Sequence, residues 1–270
     1  MTESTPPAPA KAPAPQASDQ FVQSLARGLS VIRVFDAENT EMTLSDVAKR
    51  TDLTRATARR FLMTLEELGY VRSDGRFFSL TPMVLRLGYA YLSGLRLPQL
   101  AQPHLQDLSG AVSESTSAAV LDGTDIVYVA RVATRRIMTV GISVGTRFPA
   151  YATSMGRVLL AGLNPAELDA YFESATLEPL TPRTLATREL LLPELDTVRR
   201  QGWAMVDQEL ELGLVSMAAP LHDRTGRVTA AINVSLQARS VSEDRGSLES
   251  VRKALLGTAE KISTELGLVS

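Results

Sequence analysis

The sequence predicts an α+β protein of two domains, the first built on three helices and a hairpin, the second on an antiparallel sheet with helices. Three observations predict it. With 270 residues, 44% of them hydrophobic and 21% charged, the chain can bury two modest cores. From Phe21 to Gly69 apolar residues recur at three- and four-residue spacing, the period of amphipathic helices. Beyond Pro98 helical stretches alternate irregularly with strand pairs, around Asp122-Gly123 and across His222 to Gly226, which favours an antiparallel sheet over a doubly wound one.

Residues 1–18 hold five prolines and five alanines with no apolar period, so nothing offsets the entropy of ordering them and a disordered tail is expected. Phe21, Leu25, Leu29, Ile32, Val34 and Phe35 mark the first helix. Thr43 or Ser45 caps a short second one, SDVAKRT. Asp52-Leu53 turns the chain, and Thr54 caps the third helix, TRATARRFLMTLEELGYV. There Ala58, Phe61, Leu62, Leu65 and Leu68 form one core stripe that ends at Gly69. YVRSDGRFFSL reads as two short strands joined by a tight type I′ turn at Asp74-Gly75. Thr81-Pro82 opens a linker helix, MVLRLGYAYL, that is apolar nearly all round. The domains are expected at 19–80 and 98–270, with the linker at 81–97.

The third helix has its charges reversed. Arg55, Arg59 and Arg60 crowd its start and Glu66 and Glu67 its end, although the helix dipole favours anions first and cations last. A polyanion beside the first turns resolves the conflict, because phosphates gain from the dipole, from free N–H groups and from guanidinium forks. Three helices followed by a basic hairpin make a winged helix-turn-helix plan. Thr54, Arg55, Thr57, Arg59 and Arg60, with Arg72 and Arg76 on the hairpin, are therefore the expected DNA-binding residues. The bland alternative is a solvated face. Residues 19–80 carry nine Lys or Arg against nine Asp or Glu, so the distribution of charge and not its sum carries the reading.

In the second domain three features could carry chemistry. Thr153 to Arg157, TSMGR, is a small-residue loop opening onto a helix, either an anion-binding turn or an ordinary capped start. VDQELELGLVSMAA gathers Asp207, Gln208, Glu209 and Glu211 in a turn before Ser216. In AINVS, Asn233 and Ser235 face one side of an apolar strand and must be satisfied by protein, water or ligand. Arg135, Arg136 and Arg147 are cations available to a second carboxylate, with surface exposure their default.

Other functions are excluded by composition. No cysteine is present, so disulfides, thiolate nucleophiles and zinc-thiolate sites are ruled out. The two histidines, His104 and His222, lie in unrelated contexts, and no G-x-S-x-G elbow, phosphate loop or H-E-x-x-H pair occurs. Neither catalysis nor a metal or cofactor is expected. No apolar run is long enough to span a membrane and no signal peptide is visible, so a cytoplasmic location is expected.

The runs QSLARGLSVIRVF, MTLSDVAKRTDLTRATARRFLMTLEELGYV and DGRFFSLTP resemble the N-terminal domain of IclR-type bacterial transcription regulators, and the resemblance continues through most of the chain. It implies a GAF-like effector-binding second domain. There the TSMGR loop binds a small acid through backbone amides, which places Thr153, Ser154, Met155 and Gly156 in the pocket. It adds Asp207 and Glu209 from the acidic turn, Ser216, Asn233 and Ser235. Val206 and Ser216 stand where the type member carries an aspartate and a cysteine, so a different effector is implied. VDQELELGLVSMAAPL and INVS are most similar to members controlling aromatic-acid breakdown through the β-ketoadipate pathway, implying protocatechuate, 4-hydroxybenzoate or β-ketoadipate. The partners so implied are double-stranded DNA with a roughly palindromic operator, a small carboxylic acid, and a second copy of the chain in a homodimer, with tetramers by analogy to the family. A regulator of another small-acid pathway, or a winged-helix module for protein contact without DNA, are the alternatives.

Overall fold

The computed structural model describes residues 20–36, 38–88, 96–134, 142–239 and 245–268. The chain divides into two compact units, Met1–Ala90 and Tyr91–Ser270. The expected tail, residues 89–95 of the linker, Arg135 and Arg136 lie outside the described residues.

In the first unit, α1 (Gln23–Arg33) leads through β1 (Glu41–Thr43) to α2 (Leu44–Thr51) and α3 (Arg55–Glu67). Thr43 and Asp46 close α2 with a reciprocal capping box, each accepting from the other's backbone N–H. The hairpin is β2 (Val71–Ser73) and β3 (Phe77–Leu80), and β1 adds to it in the order β1-β3-β2, a third strand the sequence did not reveal. Val31, Met42, Val47, Ala58, Leu62, Leu65 and Val71 form the core.

Three expectations fail here. Leu68 is 56% exposed because it is already the C-terminal cap, and Gly69, at φ 80°, turns the chain away. Phe21, Leu25 and Leu29 are exposed as well, since the described residues of this unit cover only the Val31 side of α1. The hairpin turn is not type I′, which needs positive φ at both central residues. Gly75 has φ 95° but Asp74 does not, and the Asp74 carboxylate holds a three-residue loop by accepting from the N–H groups of Arg76 and Phe77.

The second unit runs α4 (Arg96–Val112), β4 (Ser115–Asp122), β5 (Asp125–Val132), β6 (Arg147–Pro149), α5 (Ser154–Ala161), α6 (Pro165–Ser174), α7 (Arg188–Gln201), β7 (Ala204–Asp207), β8 (Leu214–His222), β9 (Val228–Gln237) and α8 (Arg245–Leu268). The strands form one antiparallel sheet in the order β6-β5-β4-β9-β8-β7. Each face is covered. Leu105 and Leu108 of α4 with Leu255 and Ile262 of α8 pack on Met217, Ile232 and Val234. Met155 and Val158 of α5 with Leu195 and Val198 of α7 pack on Ala119, Ala218 and Ala231 of the opposite face. The alternation of strand residues therefore decides which layer each one joins. Asn164 caps α6 with Pro165 and Glu167, and Gly202, at φ 78°, ends α7 as the sequence indicates.

Candidate functional site

The first unit presents one basic groove. Thr54 accepts from the Thr57 N–H at 3.2 Å and the two hydroxyls lie 2.8 Å apart, so both threonines are engaged in fixing the start of α3. The next turns then leave the core side to Ala58, Leu62 and Leu65 and put Arg55, Arg59, Arg60 and Met63 on the exposed face. Between this face and the hairpin runs a groove of about 600 Å³ lined by Arg55, Arg59, Met63, Glu66, Gly75 and Arg76 among others. Arg60 and Arg72 do not line it. Arg60 is exposed on the helix, and the Arg72 Nε donates to Ser79 Oγ at 3.0 Å. Among the described residues none of these five arginines forms an ion pair, so their charge is uncompensated. Across the groove, the Phe77 and Arg76 N–H groups on the Asp74 carboxylate hold it below the usual carboxylate range.

The second unit holds a small cavity between the sheet and the start of α5. Register places it. Ser216 pairs with Ser235, which pairs with Ser115, and Asn233 pairs with Ser117, so five small polar residues share one face. All five are buried. Ser216, Asn233 and Ser235 line the cavity with Thr153, Ser154, Met155, Val206 and the Tyr128 ring, and Leu210, Leu214 and Ile142 close it. Its volume is about 20 Å³, room for roughly one water.

Two buried polar atoms of the lining residues have no hydrogen-bond partner, Ser154 Oγ on the α5 side and Asn233 Oδ1 on the sheet side, while the Asn233 Nδ2 donates to Ser235 Oγ at 3.3 Å. An unmet buried polar atom costs about 1–3 kcal/mol, so one on each side of the cavity marks a place for polar ligand atoms. The backbone adds donors. The Thr153 hydroxyl takes the Gly156 N–H at 3.1 Å and the Thr153 carbonyl takes that of Arg157, leaving the N–H groups of Ser154 and Met155 without an intrahelical acceptor at the positive end of α5. Burial pushes the Tyr128 phenol up to about 12, so it stays a neutral donor.

Behind the cavity lies a buried ion pair. Arg157, 1% exposed, donates from Nη2 to Glu209 Oε2 at 2.5 Å and from Nε to the Tyr151 carbonyl at 3.1 Å, with Glu194 at 3.7 Å. Glu209 also accepts from the Leu185 N–H at 2.9 Å, and its carbonyl accepts from the Thr184 hydroxyl at 2.6 Å. The pair thus fastens the β7–β8 turn, which carries Leu210, to the helix that carries Ser154 and Met155.

Six of the nine residues expected at an effector site, Thr153, Ser154, Met155, Ser216, Asn233 and Ser235, meet in the cavity. Gly156, Asp207 and Glu209 do not line it. A Cβ on Gly156 would fall 2.0 Å from the Ala150 carbonyl oxygen, so the glycine is required by backbone packing and not by ligand approach. Asp207 is partly exposed and paired with Arg183, and Glu209 is consumed by Arg157. Arg147 is not a spare cation either, being bound to Asp122 and Asp125 at 2.6 and 3.1 Å. Sequence reasoning missed Ser115, Ser117 and Tyr128. The alternation in STSAAVLD carried the signal for the two serines, since it repeats the period of Asn233 and Ser235.

A basic winged helix in one unit and a small polar cavity in the other define a ligand-responsive DNA-binding regulator. Residues 24–75 match the IclR helix-turn-helix domain and residues 89–264 match the bacterial transcriptional regulator IclR C-terminal domain. The chain belongs to the IclR family of transcription regulators and is not an enzyme. It is 49% identical over 216 residues to the Pca regulon regulatory protein of Pseudomonas putida, across 80% of this chain and 74% of the relative. A crystal structure of a transcriptional regulator from Rhodococcus sp. RHA1 superposes with a TM-score of 0.82 at 57% identity, covering 93% of this chain and all 100% of that one. An IclR homologue from Microbacterium hydrocarbonoxydans complexed with 4-hydroxybenzoate gives a TM-score of 0.76 at 27% identity over 90% and 98% of the two chains. Among the described residues no helix is long and apolar enough to cross a membrane, and no cluster of metal-ligating side chains occurs.

Proposed function

We propose that this regulator binds a small carboxylic acid in the Ser154–Asn233 cavity and controls genes of aromatic-acid breakdown of the β-ketoadipate type. The observation that carries the reading is the pair of unpartnered polar atoms, Ser154 Oγ and Asn233 Oδ1, on residues that line the cavity from its two sides, together with the free N–H groups of α5. A carboxylate there accepts from neutral donors at a positive helix end. The relatives that regulate the Pca regulon and the homologue that holds 4-hydroxybenzoate support the class of acid. An aromatic acid exceeds about 20 Å³, so binding moves a wall of the cavity. Binding and conformational change are therefore one event, which is how differential affinity drives a switch.

DNA is read by α3, with Arg55 and Arg59 in the groove, Arg60 beside it, and Arg76 on the hairpin. Arg72 contacts the backbone from the second strand. Two copies act together on a roughly palindromic operator in the cytoplasm. Exposed Leu25 and Leu29 on α1 and Phe21 just before it, with Leu85 at 73% exposure, supply apolar surface for the dimer.

Calorimetric titration of the full chain with 4-hydroxybenzoate and protocatechuate tests the cavity: Ser154→Ala and Asn233→Ala each weaken binding about tenfold, and unchanged affinity in both refutes the site. For DNA, Arg59→Ala with Arg60→Ala weakens operator binding and lowers the salt slope by about 0.9 for each phosphate that α3 no longer neutralises. An unchanged slope and affinity would reject α3 as the reader.

A further inference from the structure

Arg131 carries a cation that nothing among the described residues neutralises. It stands on β5 opposite Ser117, which in turn stands opposite Asn233, so the row Arg131, Ser117, Asn233 crosses three adjacent strands on the cavity face of the sheet. Strands lie about 4.8 Å apart, which puts the Arg131 backbone about 10 Å from that of the cavity residue Asn233 and lets its side chain cover most of the gap. It reaches the strand between them: Nη1 donates to Ser117 Oγ at 3.2 Å. That hydroxyl lies on the strand adjacent to Asn233, at 0% exposure for the residue. The Arg131 Nε is buried and has no hydrogen-bond partner, and among the described residues Arg131 forms no ion pair.

Arginine is used in protein interiors because its planar fork meets a carboxylate with two parallel bonds. A guanidinium given one serine hydroxyl leaves most of its five donors without an anion, and burial already disfavours its charged form. It lies near enough to the Tyr128 phenol, itself on the cavity wall, for the two to influence each other's titration. Of the arginines expected to serve a second acid group, Arg147 is spent on Asp122 and Asp125, while Arg135 and Arg136 lie outside the described residues.

The geometry points to Arg131 as the specificity-determining residue for an effector with two carboxylates, one held by Ser154 and the α5 backbone, the other by the Arg131 fork at the opposite end of the Asn233–Ser117 row. The assignment rests on the cavity being the effector site. It adds that the effector is a dicarboxylate and not a mono-acid with a neutral far end. A neutral phenol would leave the cation as uncompensated as before, whereas a carboxylate supplies the charge and the planar acceptor pair that the fork lacks.

The test is calorimetric titration of the full chain, wild type and Arg131→Gln, with two probes: adipate, a dicarboxylate, and 4-hydroxybenzoate, with one carboxylate and a neutral phenol. Arg131→Gln is expected to weaken adipate binding at least tenfold and 4-hydroxybenzoate binding less than threefold. The second ligand thereby reports that the variant is folded. Arg131→Lys, which keeps the charge and loses the fork, should fall between. Equal loss for both probes, or no loss for adipate, overturns the role of Arg131, as does a wild-type protein that binds no dicarboxylate of four to seven carbons. Ser154→Ala and Asn233→Ala separate the two levels: if they leave acid binding intact while Arg131→Gln abolishes it, the cavity reading fails and the cation alone binds the acid.

Discussion

Glu209→Gln is the substitution that most directly probes how the effector unit is held together. The change is nearly isosteric and keeps an acceptor for the Leu185 N–H, so its effect is electrostatic: the Arg157 guanidinium, 1% exposed, loses its 2.5 Å anion. Glu194 cannot replace it from 3.7 Å and a half-wet position. Breaking a buried pair from one side costs about 3–5 kcal/mol, because the remaining charge stays desolvated. For a unit of this size each kcal/mol lowers Tm by about 2–4 °C, so the transition of the second unit should fall by about 6–20 °C. Removing both charges, in Arg157→Met with Glu209→Gln, should recover part of that loss, since no unpaired ion is left; the Tyr151 carbonyl still loses its donor at a cost of about 1–3 kcal/mol. Calorimetric melting of the four proteins gives the double-mutant cycle. A loss below about 1 kcal/mol for Glu209→Gln alone, or strict additivity in the cycle, would refute the buried-pair reasoning.

Other expectations follow from single contacts. Gly156→Ala places a methyl 2.0 Å from the Ala150 carbonyl oxygen, which is backbone and cannot swing aside, so chemical denaturation should show a loss near the upper end of the 1–3 kcal/mol typical of overpacking. Thr54→Ala removes the cap of α3 and should cost about 1 kcal/mol in the same assay applied to the first unit, with DNA affinity falling in step. Leu62→Ala opens the centre of that unit and should cost about 2–5 kcal/mol. For Tyr128 the sign is fixed by burial: a phenol titrating near 12 when folded and near 10 when unfolded favours the fold fully below pH 10, and that contribution is lost between pH 10 and 12. Spectrophotometric titration should show one fewer late-ionising tyrosine in Tyr128→Phe, and an identical curve would contradict the assignment.

The readable parts of this molecule were those fixed by local chemistry. Thr54, Gly69 and the Asn164-Pro165 start act through their own backbones and can be found from the sequence alone. The cavity was legible where strand alternation put polar residues on one face, as for Asn233 and Ser235, and the rest of that face was illegible where it depends on register: nothing near Ser115 or Ser117, which share the face without lining the cavity, announces that β9 lies beside them. Charge was the least reliable guide. Glu209 reads as a solvated turn residue because its partner is 52 residues away, and Arg147 reads as free because its partners sit on the neighbouring hairpin. Leu68 and the α1 leucines follow the helical period faithfully but lie where the described unit offers no opposing surface.

The period-2 alternation of β4, β8 and β9 has an evolutionary consequence. Ser115, Ser117, Ser216, Asn233 and Ser235 look toward the cavity side, while Thr116, Ala118, Met217, Ile232 and Val234 between them look toward α4 and α8. The sheet insulates the two sets. If the proposed effector site is right, replacing the cavity-side positions retunes what the regulator senses without repacking the opposite layer. A one-residue insertion in β9 would exchange the sets and lose both. New effector preferences in such a chain should therefore arise by point substitution at every second position, with strand lengths unchanged.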